Sequence, residues 1–115
     1  MTMKLELGTA YNTSGESPLL CPVCGGNNLH HGEVEVFTRK KEDSAEGAHV
    51  TVRENGWADA DRDMTLNPSA RRDGVLIHLS CEGGCGPFVL QIAQHKGETL
   101  VQIGEVKRVI QWGGK

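Results

Sequence analysis

Cys21-Pro22-Val23-Cys24-Gly25-Gly26 and Cys81-Glu82-Gly83-Gly84-Cys85-Gly86 hold all four cysteines of the chain, two to a turn, and each turn has glycine directly after its second cysteine. Two short cysteine turns facing each other supply four soft donors, the set that a tetrahedral Zn²⁺ takes at about 2.3 Å. In a Cys-x-x-Cys-Gly turn both sulfurs point the same way, and amides after the first cysteine turn toward the thiolates. The glycine permits the positive φ that closes the turn. The first turn has this pattern in full. The second has three residues between its cysteines, and Gly83 and Gly84 absorb the extra length. The expected metal ligands are therefore Cys21, Cys24, Cys81 and Cys85, and the expected ion is Zn²⁺. Sulfur at all four positions closes the sphere to water and substrate, as in structural rather than catalytic sites.

Disulfides are the competing account of four cysteines in a short chain. Met1-Thr2-Met3-Lys4-Leu5-Glu6 is not a basic segment followed by an apolar run, so a reducing, cytoplasmic location is expected. A bridge within either turn would close a very small ring, and bridges between turns would leave the glycines unexplained. A redox-active Cys-x-x-Cys belongs with a strand-to-helix context that is missing. Two further alternatives are a catalytic sphere lacking one cysteine and the replacement of a cysteine by His31.

The 115 residues fit one domain. Two Trp, one Tyr, two Phe and 15 Gly argue for a thin, sheet-rich core to which metal binding contributes folding energy. The formal charge is −3, and loading Zn²⁺ into four thiolates takes it to about −5, a poor basis for general affinity to phosphate backbones. Charge is unevenly spread: nothing after Glu105 is acidic, while Lys107, Arg108 and Lys115 are basic. No run of about 18 apolar residues is present, so no membrane span is expected.

In chain order, residues 1–17 read as a flexible lead-in, with turn composition over Asn12–Pro18. Residues 33–38 and 48–53 alternate as two strands of a hairpin, with Val34, Val36, Val50 and Val52 on the apolar faces and 39–47 as its loop. No period holds over 57–73, so a long loop is expected there, of the kind that tends to be functional or disordered. Asp59, Asp61 and Asp63 mimic the opening of an EF-hand loop, but Met64 and Ala70 stand where that loop needs Gly and Glu, which speaks against calcium. Val75–Ser80, Pro87–Gln94 and Thr99–Ile103 read as three successive strands, apolar on both parities and covered on both sides. The second cysteine turn is the bend between the first two of them. Residues 103–112 fit either a helix or a final strand, and 113–115 are expected to fray. The domain proper thus runs over 18–112.

No nucleophile and base occur as a set, and no Walker loop, dinucleotide fingerprint, His-Glu-x-x-His or Gly-x-Ser-x-Gly elbow is present, so the chain is not expected to be an enzyme. No small-molecule substrate is evident. His49 and His78 lie within strands, where satisfied or surface imidazoles are the ordinary explanation. Arg71 and Arg72 are the candidates for recognition, able to clamp phosphate or carboxylate bidentately. The plainer account is that they balance Asp59, Asp61, Asp63 and Asp73 in the same loop. Lys96 extends such a patch only if the fold brings it round. Trp57 is either an anchor of the loop or a contact residue.

Cys21-Pro22-Val23-Cys24-Gly25 resembles the Cys-Pro-x-Cys-Gly knuckle of the zinc-ribbon superfamily. Asn67–Cys81 with Gln94–Thr99 also looks like small ribbon proteins of actinobacteria and their phages, a resemblance over about half the chain that carries no activity. The 56 residues between Cys24 and Cys81 and the wider second turn mark an elaborated ribbon. The resemblance implies a mainly β fold: an antiparallel sheet with an inserted hairpin and a long loop. The function expected is a zinc-binding module that contacts a protein partner through the 57–73 loop and the sheet edge. Were the chain phage-borne, that partner could be a host enzyme. The alternative is a nucleic-acid-binding ribbon using Arg71, Arg72, Lys96 and the basic tail.

Overall fold

The computed structural model describes residues 2–9 and 15–105; the ambiguous segment after Glu105, the basic tail and the expected fraying at 113–115 lie outside them. The described chain is all β, with no helix. Seven strands, β1 (Thr2–Met3), β2 (Leu29–Arg39), β3 (Gly47–Val52), β4 (Ala58–Asp61), β5 (Gly74–Cys81), β6 (Phe88–His95) and β7 (Glu98–Glu105), form one antiparallel sheet in the order β1-β7-β6-β5-β2-β3-β4. The two-residue turn between β6 and β7, Lys96-Gly97, has positive φ at both positions, which matches the twist of the strands it joins.

Residues facing each other across antiparallel strands share a face of the sheet. On one face the register makes an aliphatic row, Ala60–Val50–Val36–Val75–Ile92–Val101. Beside it runs a second, Ala58–Val52–Val34–Ile77–Leu90–Ile103–Met3. Among the described residues, a cover lies over the cysteine-bearing end of this face: Leu19 and Cys21 pack on Leu79, Phe88 and Ile103. Val52 and Val101 remain 45% exposed.

The opposite face carries Glu35, Phe37, His49, Thr51, Leu76 and Gln91, all buried. In the first hairpin, the face opposite the valines is thus the more deeply buried one. The cover explains it. Residues 64–69 fold back over this face, with Met64 against Phe37, Leu76 and Val89, and Asn67, Pro68 and Ser69 fully buried. A Cβ on Gly74 would lie 2.4 Å from Asn67 Oδ1 and 2.7 Å from Pro68, so only glycine admits this approach.

Much of 57–73 is therefore not a long free loop. Its first part is β4, and its second is a plug held by its own polar groups. Asn67 Nδ2 donates to Arg72 O, Ser69 Oγ donates to Gln94 O, and the Arg39 guanidinium donates to Arg72 O, Ser44 O and Ser69 O. Period-2 scanning missed β4 because Ala-Asp-Ala-Asp offers no large apolar side chain. The lead-in is also tied down at both described ends: β1 pairs with β7, Leu7 pairs with Leu19, and Gly8 N donates to Pro18 O at 2.8 Å.

Candidate metal centre

The strand order carries the second cysteine turn to the bend between β5 and β6. The first turn packs against it from the segment before β2. Glu82 N donates to Asn28 O across the two turns. Within the first, Gly25 N donates to Cys21 O and Cys21 N to Gly26 O; within the second, Gly84 N donates to Cys81 O. Gly25 and Gly84 both take positive φ, as the closing of such turns requires.

The four sulfurs of Cys21, Cys24, Cys81 and Cys85 lie within 4.8 Å of one another, and all four thiols are free. Cys24 Sγ and Cys81 Sγ are 3.7 Å apart. Four sulfurs at about 2.3 Å around a tetrahedral ion stand about 3.8 Å from each other, which the Cys24–Cys81 separation matches. The amides of Val23 and Gly83 donate to Cys21 Sγ and Cys81 Sγ at 3.5 and 3.3 Å. No imidazole joins this group: His30 Nε2 faces Glu82 Oε2 at 2.5 Å, and His31 lines a separate apolar cleft with Leu29 and Leu79.

The thiols influence one another's titration. Burial pushes the Cys21 thiol up, but the Cys24 and Val23 amides and the neighbouring thiols outweigh it and bring it down to about 7. Burial and the same neighbours push Cys85 up to about 12. Four thiolates coexist only around a positive ion, whose charge removes their repulsion.

The residues nominated for recognition do not gather into one surface. Trp57 is exposed in the turn between β3 and β4, whereas Arg71, Arg72 and Lys96 sit at the opposite end of the strands, where Gly74 pairs with Ala93. Arg71 makes a two-pronged ion pair with Asp43, at 2.6 and 3.0 Å, and Arg72 pairs with Glu42. The guanidiniums are thus balanced by carboxylates of the β2–β3 loop rather than by those of their own loop. Asp59 faces Arg53, Asp61 faces His49 and Asp63 accepts from Thr65, so these three aspartates serve different partners.

A second polar group escaped the sequence reading. Glu35 is buried between two imidazoles: His49 Nε2 is 2.8 Å from its Oε1, and His78 Nε2 is 2.6 Å from its Oε2. His49 Nδ1 continues to Asp61 Oδ1 at 2.9 Å, and the His49 ring stacks on Phe37 at 4.2 Å. The His78 hydrogen bond, against the opposing effect of burial and with help from His49, holds the Glu35 carboxyl below the usual range. The same bond, again against burial, holds the His78 imidazole above its usual range. The signal available in sequence was the pair of in-strand histidines, but nothing local showed that their strands flank β2.

Among the described residues no helix is long and apolar enough to cross a membrane. Comparison with family models, curated proteins and solved structures found no match to the chain.

Proposed function

We propose that this chain is a zinc-ribbon-type module, in which Cys21, Cys24, Cys81 and Cys85 hold a structural Zn²⁺ and the aliphatic face of the sheet, which the described residues cover only at its cysteine-bearing end, contacts a protein partner. The observation that carries the metal is the group of four sulfurs within 4.8 Å of one another, with amide donors aimed at Cys21 and Cys81. In a sphere of four thiolates the ion has no open position, so its contribution is to the fold. The contact surface shifts from the 57–73 segment, whose Asn67, Pro68 and Ser69 are core, to the Val36–Val50–Val75–Ile92–Val101 row. The row is half-buried, with Val101 exposed at its β7 end, and a contiguous apolar face that stays partly open is a usual mark of a protein contact. Pairing of Arg71 and Arg72 with Asp43 and Glu42 speaks against a phosphate clamp.

Two measurements test the reading. The wild type should carry zinc with its four thiols unreactive until a chelator is added, and Cys81→Ser should lose that protection; a native chain without metal would overturn the first half. A partner captured by wild type should be lost with Val50→Glu at unchanged thermal midpoint. Capture indifferent to Val50→Glu, or retention on DNA or RNA that falls steeply with salt, would overturn the second half.

A further inference from the structure

Two carboxylates and one imidazole converge on the polar face of the sheet, apart from the cysteines. Glu33 and Glu35 come from β2 and His78 from β5. His78 Nε2 lies 2.6 Å from Glu35 Oε2 and 4.0 Å from Glu33 Oε1, and one donor atom of each residue lies within 4.8 Å of the other two.

What sets this group apart from an ordinary surface cluster is how its second oxygens are held. Glu33 Oε2 accepts from Arg53 Nη1 at 3.0 Å, and Glu35 Oε1 faces His49 Nε2 at 2.8 Å. His49 is in turn held by Asp61 and Thr51. Each carboxylate thus keeps one oxygen fixed by an outer partner and turns the other toward His78. Orientation of ligating groups by an outer ring of hydrogen bonds is how protein metal sites are built. Burial is graded as well. The Glu35 side chain is only 9% exposed, while those of His78 and Glu33 are 27% and 32% exposed, so the group is walled on one side and open to solvent on the other.

The β-bulge in β2 creates this arrangement. Leu29–His31 pair with Cys81–Leu79, but Val34 pairs with Ile77, one residue out of step. The extra residue at Gly32–Glu33 reverses the alternation, so that Glu33 and Glu35 stand on the face of His78 rather than on the face of Leu29 and His31.

We propose that Glu33, Glu35 and His78 bind a divalent first-row transition ion, at a second site distinct from the thiolate centre and with positions left for water. Two carboxylate oxygens and one imidazole nitrogen suit Zn²⁺, Mn²⁺ or Fe²⁺, and three protein ligands leave the sphere open, unlike the closed four-sulfur site. On binding, the ion takes the His78 Nε2 lone pair and releases to solvent the proton that now bridges His78 and Glu35.

Titration with Co²⁺ tests this on the intact chain, because Co²⁺ among thiolates shows intense near-ultraviolet charge-transfer bands that Co²⁺ among oxygen and nitrogen donors lacks. Wild type should bind two Co²⁺, the second without those bands. Glu33→Gln and His78→Gln should each weaken the second ion at least tenfold and leave the first unchanged. Glu33 is partly exposed and the change preserves shape, so the retained thiolate bands report that this variant is folded. Binding of only one thiolate-type ion, or a second ion unmoved by both variants, would overturn the proposal. A chain that takes the band-free ion but shows no charge-transfer bands would refute the thiolate centre alone.

Discussion

The cysteine centre and the Glu35 seam are both groups of four polar side chains gathered by the same sheet, yet they are assembled in opposite ways. Cys21 and Cys24, and Cys81 and Cys85, arrive as local pairs, so the fold has only to bring two turns together. His78, Glu35, His49 and Asp61 arrive singly from β5, β2, β3 and β4, and only pairing of four strands in one register aligns them. The first centre gathers four thiols that could hold a metal ion. The second is satisfied internally by alternating carboxylates and imidazoles, and no buried side-chain polar atom among the described residues lacks a partner.

The largest test of this contrast is metal removal. Structural zinc in small domains is worth on the order of 10 kcal/mol. A chelator strong enough to strip the cysteine centre should abolish the cooperative thermal transition followed by circular dichroism. A transition that survives chelation unchanged would show that the sheet holds the two turns without the ion.

Next comes Glu35→Ala, which leaves His49 and His78 without their common acceptor in a largely buried setting. Removing one member of a buried ion pair costs about 3 kcal/mol, read as a lower urea midpoint with unchanged slope. Thiol protection at the cysteines should persist, since the two centres share no side chain.

A smaller, pH-dependent effect follows for His78→Gln, measured with metal limited to one equivalent per chain. The His78 imidazole is held above its ordinary 6.5, so its stabilisation is fully present below that value and is lost as pH rises through the folded-state value. Glu35 is held below its ordinary 4.5, so its share is present above that value and is lost as pH falls through the folded-state value. The variant should therefore lose most, relative to wild type, between about pH 4.5 and 6.5, and the gap should close in alkaline buffer. A gap that widens toward alkaline pH would contradict the pairing.

Least affected should be Arg71→Ala. Its partners Asp43 and Glu42 sit in water, where exposed ion pairs contribute little, so the urea midpoint should not move resolvably.

The three-strand run β5–β7 was readable because Val75–Ser80, Pro87–Gln94 and Thr99–Ile103 are strongly apolar and bounded by glycine turns. The β2–β3 hairpin was readable as strands, but which of its faces would be the more deeply buried was not. Alternation shows that two faces differ, not which one receives a cover. The cover here is Met64–Ser69, a segment whose sequence has no period, and its packing is set by Gly74 and by the hydrogen bonds of Arg39 and Asn67.

The sequence by itself determined the cysteine pairs, their glycine-closed turns and most of the strands, because these rest on spacing over two to eight neighbouring residues. Only the tertiary structure decided that β4 and a plug replace a free loop, that Arg71 and Arg72 are already paired, and that Glu33, Glu35 and His78 meet. Those outcomes depend on strand order and on one bulged residue in β2, and both arise from contacts between residues far apart in the chain.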